Sequence, residues 1–203
     1  SNSANAWGGA IYVTDSKLKI SGHTFDQNTA SYGGAILVDS VSADEASETE
    51  KVTIAASVFT SNSSTNAGGA IFTNRNLEVT TNSRFTENTA ANGGAIYIAA
   101  QSIEVSVSNS EFTENQATNR GGAIYTASTM ATDDKYALSV TGCTFGGTDT
   151  AEDAYALGNK AKRGGAIWSK AGNVKAENCD FISNKVSDRG GALFIAGGGT
   201  VSL

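Results

Sequence analysis

Cys143 and Cys179 each stand two residues before a phenylalanine, and the same offset holds His23, Ser57, Ser83 and Ser110 elsewhere in the chain. Thiol, hydroxyl and imidazole together are the parts of a nucleophile activated by a base. Their spacing argues against that use. The only histidine lies far along the chain from both cysteines, and the positions recur as one column of small side chains. A buried cysteine behaves there as a small hydrophobe, so reduced, stacked thiols are expected rather than a disulfide or a catalytic set.

The carboxylates offer a second chemistry. Residues 39–50 hold Asp39, Asp44, Glu45, Glu48 and Glu50; Asp133 and Asp134 form another group, and Asp149, Glu152 and Asp153 a third. Glycan-cleaving and Ca²⁺-binding sites use such groups, but on a fixed scaffold with regular spacing. These sit in irregular segments and match no calcium-loop pattern, so solubilising loops are expected, with no metal and no cofactor. Arg120, Arg163 and Arg189 each immediately precede a Gly-Gly pair. That column reads as a solvated edge, with a contact for an anionic glycan or surface as the alternative. A further column comprises Tyr12, Leu37, Phe72, Tyr97, Tyr125, Trp168 and Phe194, each just after Ile11, Ile36, Ile71, Ile96, Ile124, Ile167 or Leu193. Neighbouring strand residues face opposite ways. One apolar stripe, roughly 29 Å long over seven coils, is therefore expected outside. Tyr12, Phe72, Tyr97, Tyr125, Trp168 and Phe194 are its candidate contact residues, for sugar stacking, a receptor or lateral association. The alternative is that flanking long side chains or loops cover it.

These columns exist because the chain repeats. Gly-Gly-Ala-aliphatic begins at Gly8, Gly33, Gly68, Gly93, Gly121, Gly164 and Gly190, at intervals of 25, 35, 25, 28, 43 and 26 residues. Between them come Phe25, Phe59, Phe85, Phe112, Phe145 and Phe181; Asn28, Asn62, Asn88, Asn115 and Asn184 follow three residues later in all but the fifth interval, where an insertion separates Phe145 from Asn159. A second apolar alternation precedes each Phe, as in Leu77/Val79 and Val105/Val107. Each coil thus reads as three short period-2 runs separated by Gly, Asn, Ser and Thr. Too short to bury a core alone, such coils must stack. The expected fold is all-β: a right-handed, single-stranded parallel β-helix, a three-sided solenoid of about seven coils of ~25 residues. Gly-Gly should turn the corner, Phe should fill the interior, and Asn should take a left-handed bridge conformation and form a hydrogen-bonded ladder. Residues 1–203 read as one solenoid segment, with surface insertions near 39–50, 127–137 and 146–158.

Composition agrees. The 203 residues include 23 Gly and no Pro, so no ladder donor is lost. A net charge of −6 disfavours nucleic acid. No apolar run is long enough to span a membrane. The start, SNSANAWGG, has no signal-peptide character, and both ends fall mid-coil, as expected of a piece of something longer.

The coupled GGA[IL] and FxxN motifs resemble the repeats of the chlamydial polymorphic outer membrane proteins, over nearly the whole chain; other bacterial adhesin-like β-helices are similar. The resemblance implies an autotransporter, with a secreted β-helical passenger between a signal peptide and a membrane barrel, and a role in adhesion. It therefore implies a non-enzymatic, secreted or cell-surface module that meets a host-cell receptor or glycan. A subunit of an extracellular filament, self-associating into fibres, is the alternative. A glycan-active β-helix enzyme is the weakest of the three, and no recurring Thr-x-Thr array supports ice binding.

Overall fold

The computed structural model describes residues 1–40, 51–99, 103–129, 135–147 and 157–203. Asp44, Glu45, Glu48, Glu50, Asp133, Asp134, Asp149, Glu152 and Asp153, with most of the three expected insertions, lie outside the described residues.

Every coil repeats the same order of short strands, and each strand pairs in parallel with its equivalents in the neighbouring coils. Four sheets result. A glycine sheet of seven strands follows the Gly-Gly-Ala corners, from Ile11–Thr14 to Leu193–Ile195. An aliphatic sheet of seven runs from Leu18–Ser21 to Val201–Ser202. A phenylalanine sheet of six runs from Thr24–Asp26 to Asp180–Ile182. The fourth, a polar sheet of six, runs from Thr29–Tyr32 to Lys185–Arg189. Among the described residues there is no helix. The molecule is a parallel β-helix of about seven coils.

The expected three runs per coil are thus four strands. Segments such as Thr89–Asn92 and Gln116–Arg120 carry no apolar alternation, which is why the pattern did not announce them. Their lengths also differ, since Asn115 stands one residue farther from its Gly-Gly than Asn88 does. A register shift between Ala90 and Asn92 absorbs the extra residue, so Asn92 pairs with Arg120 and the corners stay aligned. A bulge of this kind takes one surplus residue without disturbing the ladder on either side.

The interior is built from columns. Ile36, Ile71, Ile96, Ile124 and Ile167 are fully buried on the glycine sheet, as are Val52, Leu77 and Leu138 on the aliphatic sheet. Phe25, Phe59, Phe85, Phe112, Phe145 and Phe181 stack face to face with ring centroids 4.7–5.0 Å apart. That is the strand spacing itself, about 4.8 Å. Backbone pairing therefore sets the ring separation, and the rings fill it.

The two corner glycines have different reasons to be glycine. Gly93 has φ +61°, in the left-handed region, and a Cβ there would strike the carbonyl of Ile96 in its own turn. Gly94 has ordinary φ, but its Cβ would collide with the carbonyl oxygen of Gly122 in the next coil. Gly22, in contrast, has φ +71° with open space around it. Gly22→Ala should therefore cost about 1–2 kcal/mol, the conformational term alone. Gly94→Ala should exceed roughly 4 kcal/mol, because two backbones must separate. Urea denaturation of both variants, followed by circular dichroism, checks the order; equal losses would contradict the close approach.

Candidate interaction surface

The asparagines form an unbroken ladder beneath the phenylalanine sheet. Asn28, Asn62, Asn88, Asn115 and Asn159 are all buried, and Asn184 is half-buried. Each Oδ1 accepts from both the backbone N–H and the Nδ2 of the asparagine in the coil before it. For Asn88 the two distances from Asn62 are 3.0 Å and 3.0 Å. Asn88 Nδ2 donates onward to Asn115 Oδ1 at 2.9 Å and back to the Phe59 carbonyl at 2.9 Å. The same pattern continues through Asn159, which fills the position the fifth interval lacks, to Asn184. The ladder stands as expected, but the left-handed residue does not coincide with it. That conformation falls one position earlier, at Gln27, Ser61, Glu87, Glu114 and Ser183, with φ of 52–57°. The bend ahead of the asparagine aims its amide inward, so the strain and the hydrogen bonds belong to adjacent residues.

The serine and cysteine column has its own bonding. Ser57 Oγ donates to the Ala55 carbonyl at 2.7 Å and accepts from the His23 backbone N–H at 3.3 Å. Cys143 Sγ faces the carbonyls of Thr141 and Val107, while the Cys143 N–H points at Cys179 Sγ, 3.4 Å away. Hydrogen bonding to the Cys179 sulfur and burial together hold the Cys143 thiol protonated, and hydrogen bonds from Cys143 favour the Cys179 thiolate. Both cysteines are free. These groups tie a corner of the coil together; no histidine approaches the thiols.

The aromatic column points away from the core, opposite the buried isoleucines, but most of it is not open. Phe72, Tyr97, Tyr125 and Trp168 stack in sequence at 5.2, 4.5 and 4.6 Å. Only Tyr12 is exposed; Phe72, Tyr97 and Phe194 are half-buried, and Leu37, Tyr125 and Trp168 are buried. The expected continuous exposed stripe is corrected accordingly. Residues of the polar strands lean over it: Arg120 places its guanidinium 4.9 Å above the Trp168 ring, and Tyr32 packs edge-on against Phe72 at 5.6 Å. Burial, followed by the neighbouring Tyr125, pushes the Tyr97 hydroxyl up to about 12.

The polar sheet also changes character along the axis. Thr29–Tyr32, Ser63–Ala67 and Thr89–Asn92 carry no charge, and hydroxyl pairs such as Thr89 and Ser63 link them at 3.0 Å. The next three strands align Arg120 with Arg163 and Arg189, and Lys160 with Lys185. Asp188 interrupts the arginine column, 2.6 Å from Arg163 Nε and 3.4 Å from Arg189 Nε.

Four stretches, residues 24–39, 56–74, 82–99 and 109–127, match the model of the Chlamydia polymorphic membrane protein repeat. Together these stretches cover 72 of the 203 residues and are similar to that repeat. Members of the family are surface-associated outer-membrane proteins. No curated protein and no solved structure matches the chain. Each matched stretch runs from the phenylalanine strand, through the asparagine and polar strand, to the glycine strand. The matched unit is therefore one Asn rung, the phenylalanine and polar strands that flank it, the Gly-Gly corner and the glycine strand that follows. The coil whose insertion separates Phe145 from Asn159 is not among the matched stretches.

Arg75, which the repeat pattern did not single out, is the largest fully buried side chain, with Nη1 3.7 Å from Asp15. Among the described residues no group of three His, Cys, Asp or Glu is placed to hold a metal ion, and no helix is long and apolar enough to cross a membrane.

Two outcomes are expected. Asn88→Ala should cost roughly 2–4 kcal/mol in urea denaturation, because it leaves Asn115 Oδ1 and the Phe59 carbonyl short of donors; a cost near zero would mean the ladder follows from stacking and adds nothing. Tyr97 should still be neutral at pH 11 by ultraviolet titration. Its folded pKa lies above the ordinary 10, so its contribution is complete below pH 10 and disappears as pH rises towards about 12. A Tyr97→Phe variant should lose less stability across that window.

Proposed function

We propose that this chain is a rigid, non-enzymatic rod segment of a cell-surface protein, a passenger that acts in adhesion to a host-cell receptor or glycan. The observation that carries the reading is the repeat match itself, on coils that hold one register through seven stacked strands. A rod of this kind brings outward side chains into straight columns at a fixed spacing, which suits a repetitive or extended ligand. Within the aromatic column, Tyr12, Phe72, Tyr97 and Phe194 are the members with accessible ring surface, and the buried Tyr125 and Trp168 stack between Tyr97 and Phe194. The buried pair would be lost to any ligand unless Arg120 moved aside.

The folded chain should bind cultured epithelial cells saturably, and heat-unfolded chain should not. Phe72→Leu combined with Tyr97→Leu keeps apolar volume, as Leu37 already does in that column, and removes the ring faces. Where the rings make the contact, binding falls roughly tenfold while the unfolding midpoint stays within a few degrees. Absence of saturable binding by the folded chain, with concentration-dependent fibres in electron micrographs, would replace adhesion by self-assembly.

A further inference from the structure

We infer that the C-terminal half of the polar sheet is a binding surface for a linear, sulfated polysaccharide. The strands Gln116–Arg120, Lys160–Arg163 and Lys185–Arg189 bring together Arg120, Lys160, Lys162, Arg163, Lys185 and Arg189, against the single acid Asp188. The whole chain has only 14 Lys and Arg and a net charge of −6. Nearly half its cations therefore lie on three adjacent strands of an otherwise acidic molecule, while the preceding three strands of the same sheet carry none. Such segregation costs mutual repulsion, and only Arg120, on the Trp168 ring, and Arg163 and Arg189, beside Asp188, recover part of it within the fold.

The geometry is that of a short track. Register places Lys160 beside Lys185, and Arg120 beside Arg163 beside Arg189. Successive charges along the axis are therefore about one strand spacing apart, ~4.8 Å. Three residues of extended chain, roughly 10 Å, separate the lysine file from the arginine file. Along the N-terminal part of the arginine file lies a shallow depression of about 340 Å³ lined by Asn92, Asn119, Arg120, Lys162 and Arg163. Two of the arginines are held in place before any ligand arrives. Arg120 rests on the Trp168 ring, and Asp188 orients Arg163. Lys160, Lys162 and Lys185 are exposed and make no ion pair among the described residues. Their charge is available to a ligand without breaking an ion pair among the described residues, Lys162 acting on Asp188 only as a nearby positive charge.

Sulfate groups on a sugar chain fit this better than other polyanions. Asn92, Asn119 and Gln116 set neutral amides among the cations, as suits hydroxyls alternating with charges. A bilayer would call for apolar side chains to insert beside the cations, and single-stranded nucleic acid for open aromatic rings to stack on. The exposed large apolar residues, Trp7, Tyr12, Tyr32, Val201 and Leu203, all lie off these three strands. The acidic remainder of the chain repels a long polyanion, which confines contact to the track. The assignment gives the adhesive reading its ligand class and rests on that reading for where the sugar is met.

The test uses the full chain on immobilised heparin oligosaccharide at about 0.15 M salt. Lys160→Ser, Lys162→Ser and Lys185→Ser are combined in one variant. A control variant combines Lys17→Ser, Lys19→Ser and Lys170→Ser, removing as many exposed cations elsewhere. The track variant should bind at least roughly tenfold more weakly, the control within about twofold of the parent, and desulfated heparin hardly at all. Equal loss in both variants, no heparin binding by the parent, or tighter capture of a single-stranded oligonucleotide or of phosphatidylserine-containing vesicles would overturn the assignment. The two readings fail separately. Heparin binding through these lysines without cell binding removes the adhesive role alone. Cell binding that survives in the track variant, with heparin binding unchanged, removes the sugar track alone.

Discussion

Backbone hydrogen bonding between coils fixes one length, the distance between neighbouring strands, and every side-chain column has to be compatible with it. Planar rings are compatible: the phenylalanines stack at 4.7–5.0 Å without leaving a gap or forcing a clash. Carboxamides are compatible because an amide carries donor and acceptor on opposite sides, so identical groups chain together along the axis. At Gly94 compatibility demands the absence of a side chain, since the next coil's carbonyl already occupies the space a Cβ would take. The motif residues are thus solutions to a single spacing problem. This is why they recur while the residues between them drift.

The asparagine ladder adds direction to that spacing. Each Nδ2 donates towards the C-terminal neighbour and each Oδ1 accepts from the N-terminal one, from Asn2 through Asn184. A net hydrogen bond contributes only about 1 kcal/mol, whereas an unmet buried group costs about 1–3. The ladder therefore acts mainly as a penalty on error: a coil that slips by one residue puts its asparagine on the wrong face and strands two amides at once. The bulges in the polar sheet show the consequence. Where a coil holds an extra residue between Asn and Gly-Gly, the surplus is absorbed within the polar strand, and both anchors keep their register.

What could be read in the sequence follows from this. Columns of like residues, Gly-Gly-Ala, Phe and Asn, were legible because stacking demands near-identity. Asn159 could be placed despite its insertion, because its distance to Gly164 matched that of Asn28 to Gly33. Two features were not legible. The left-handed bend sits on Gln27, Ser61, Glu87, Glu114 and Ser183, residues with little in common, because the surrounding turn imposes the conformation and no side chain advertises it. The cover over the aromatic column comes from Tyr32 and Arg120, on strands that lack any apolar period. The fourth strand and the cover over the stripe share one cause: an element outside the apolar pattern also supplies the flanking side chains that were the alternative to an open stripe.

That element is where specificity can vary at least cost. The glycine strands are pinned on one face by the core and on the other by stacked rings, and the phenylalanine strands abut the buried ladder. Outward positions of the polar strands answer to neither, so long as the bulge keeps Asn and Gly-Gly in place. In this chain those positions pass from hydroxyls and amides in the first three coils to lysines and arginines in the next three, with no change in backbone pairing. A solenoid with such a face can change what it presents from coil to coil while the columns beneath stay constant. Any recognition that distinguishes one coil from another is therefore expected on the polar sheet.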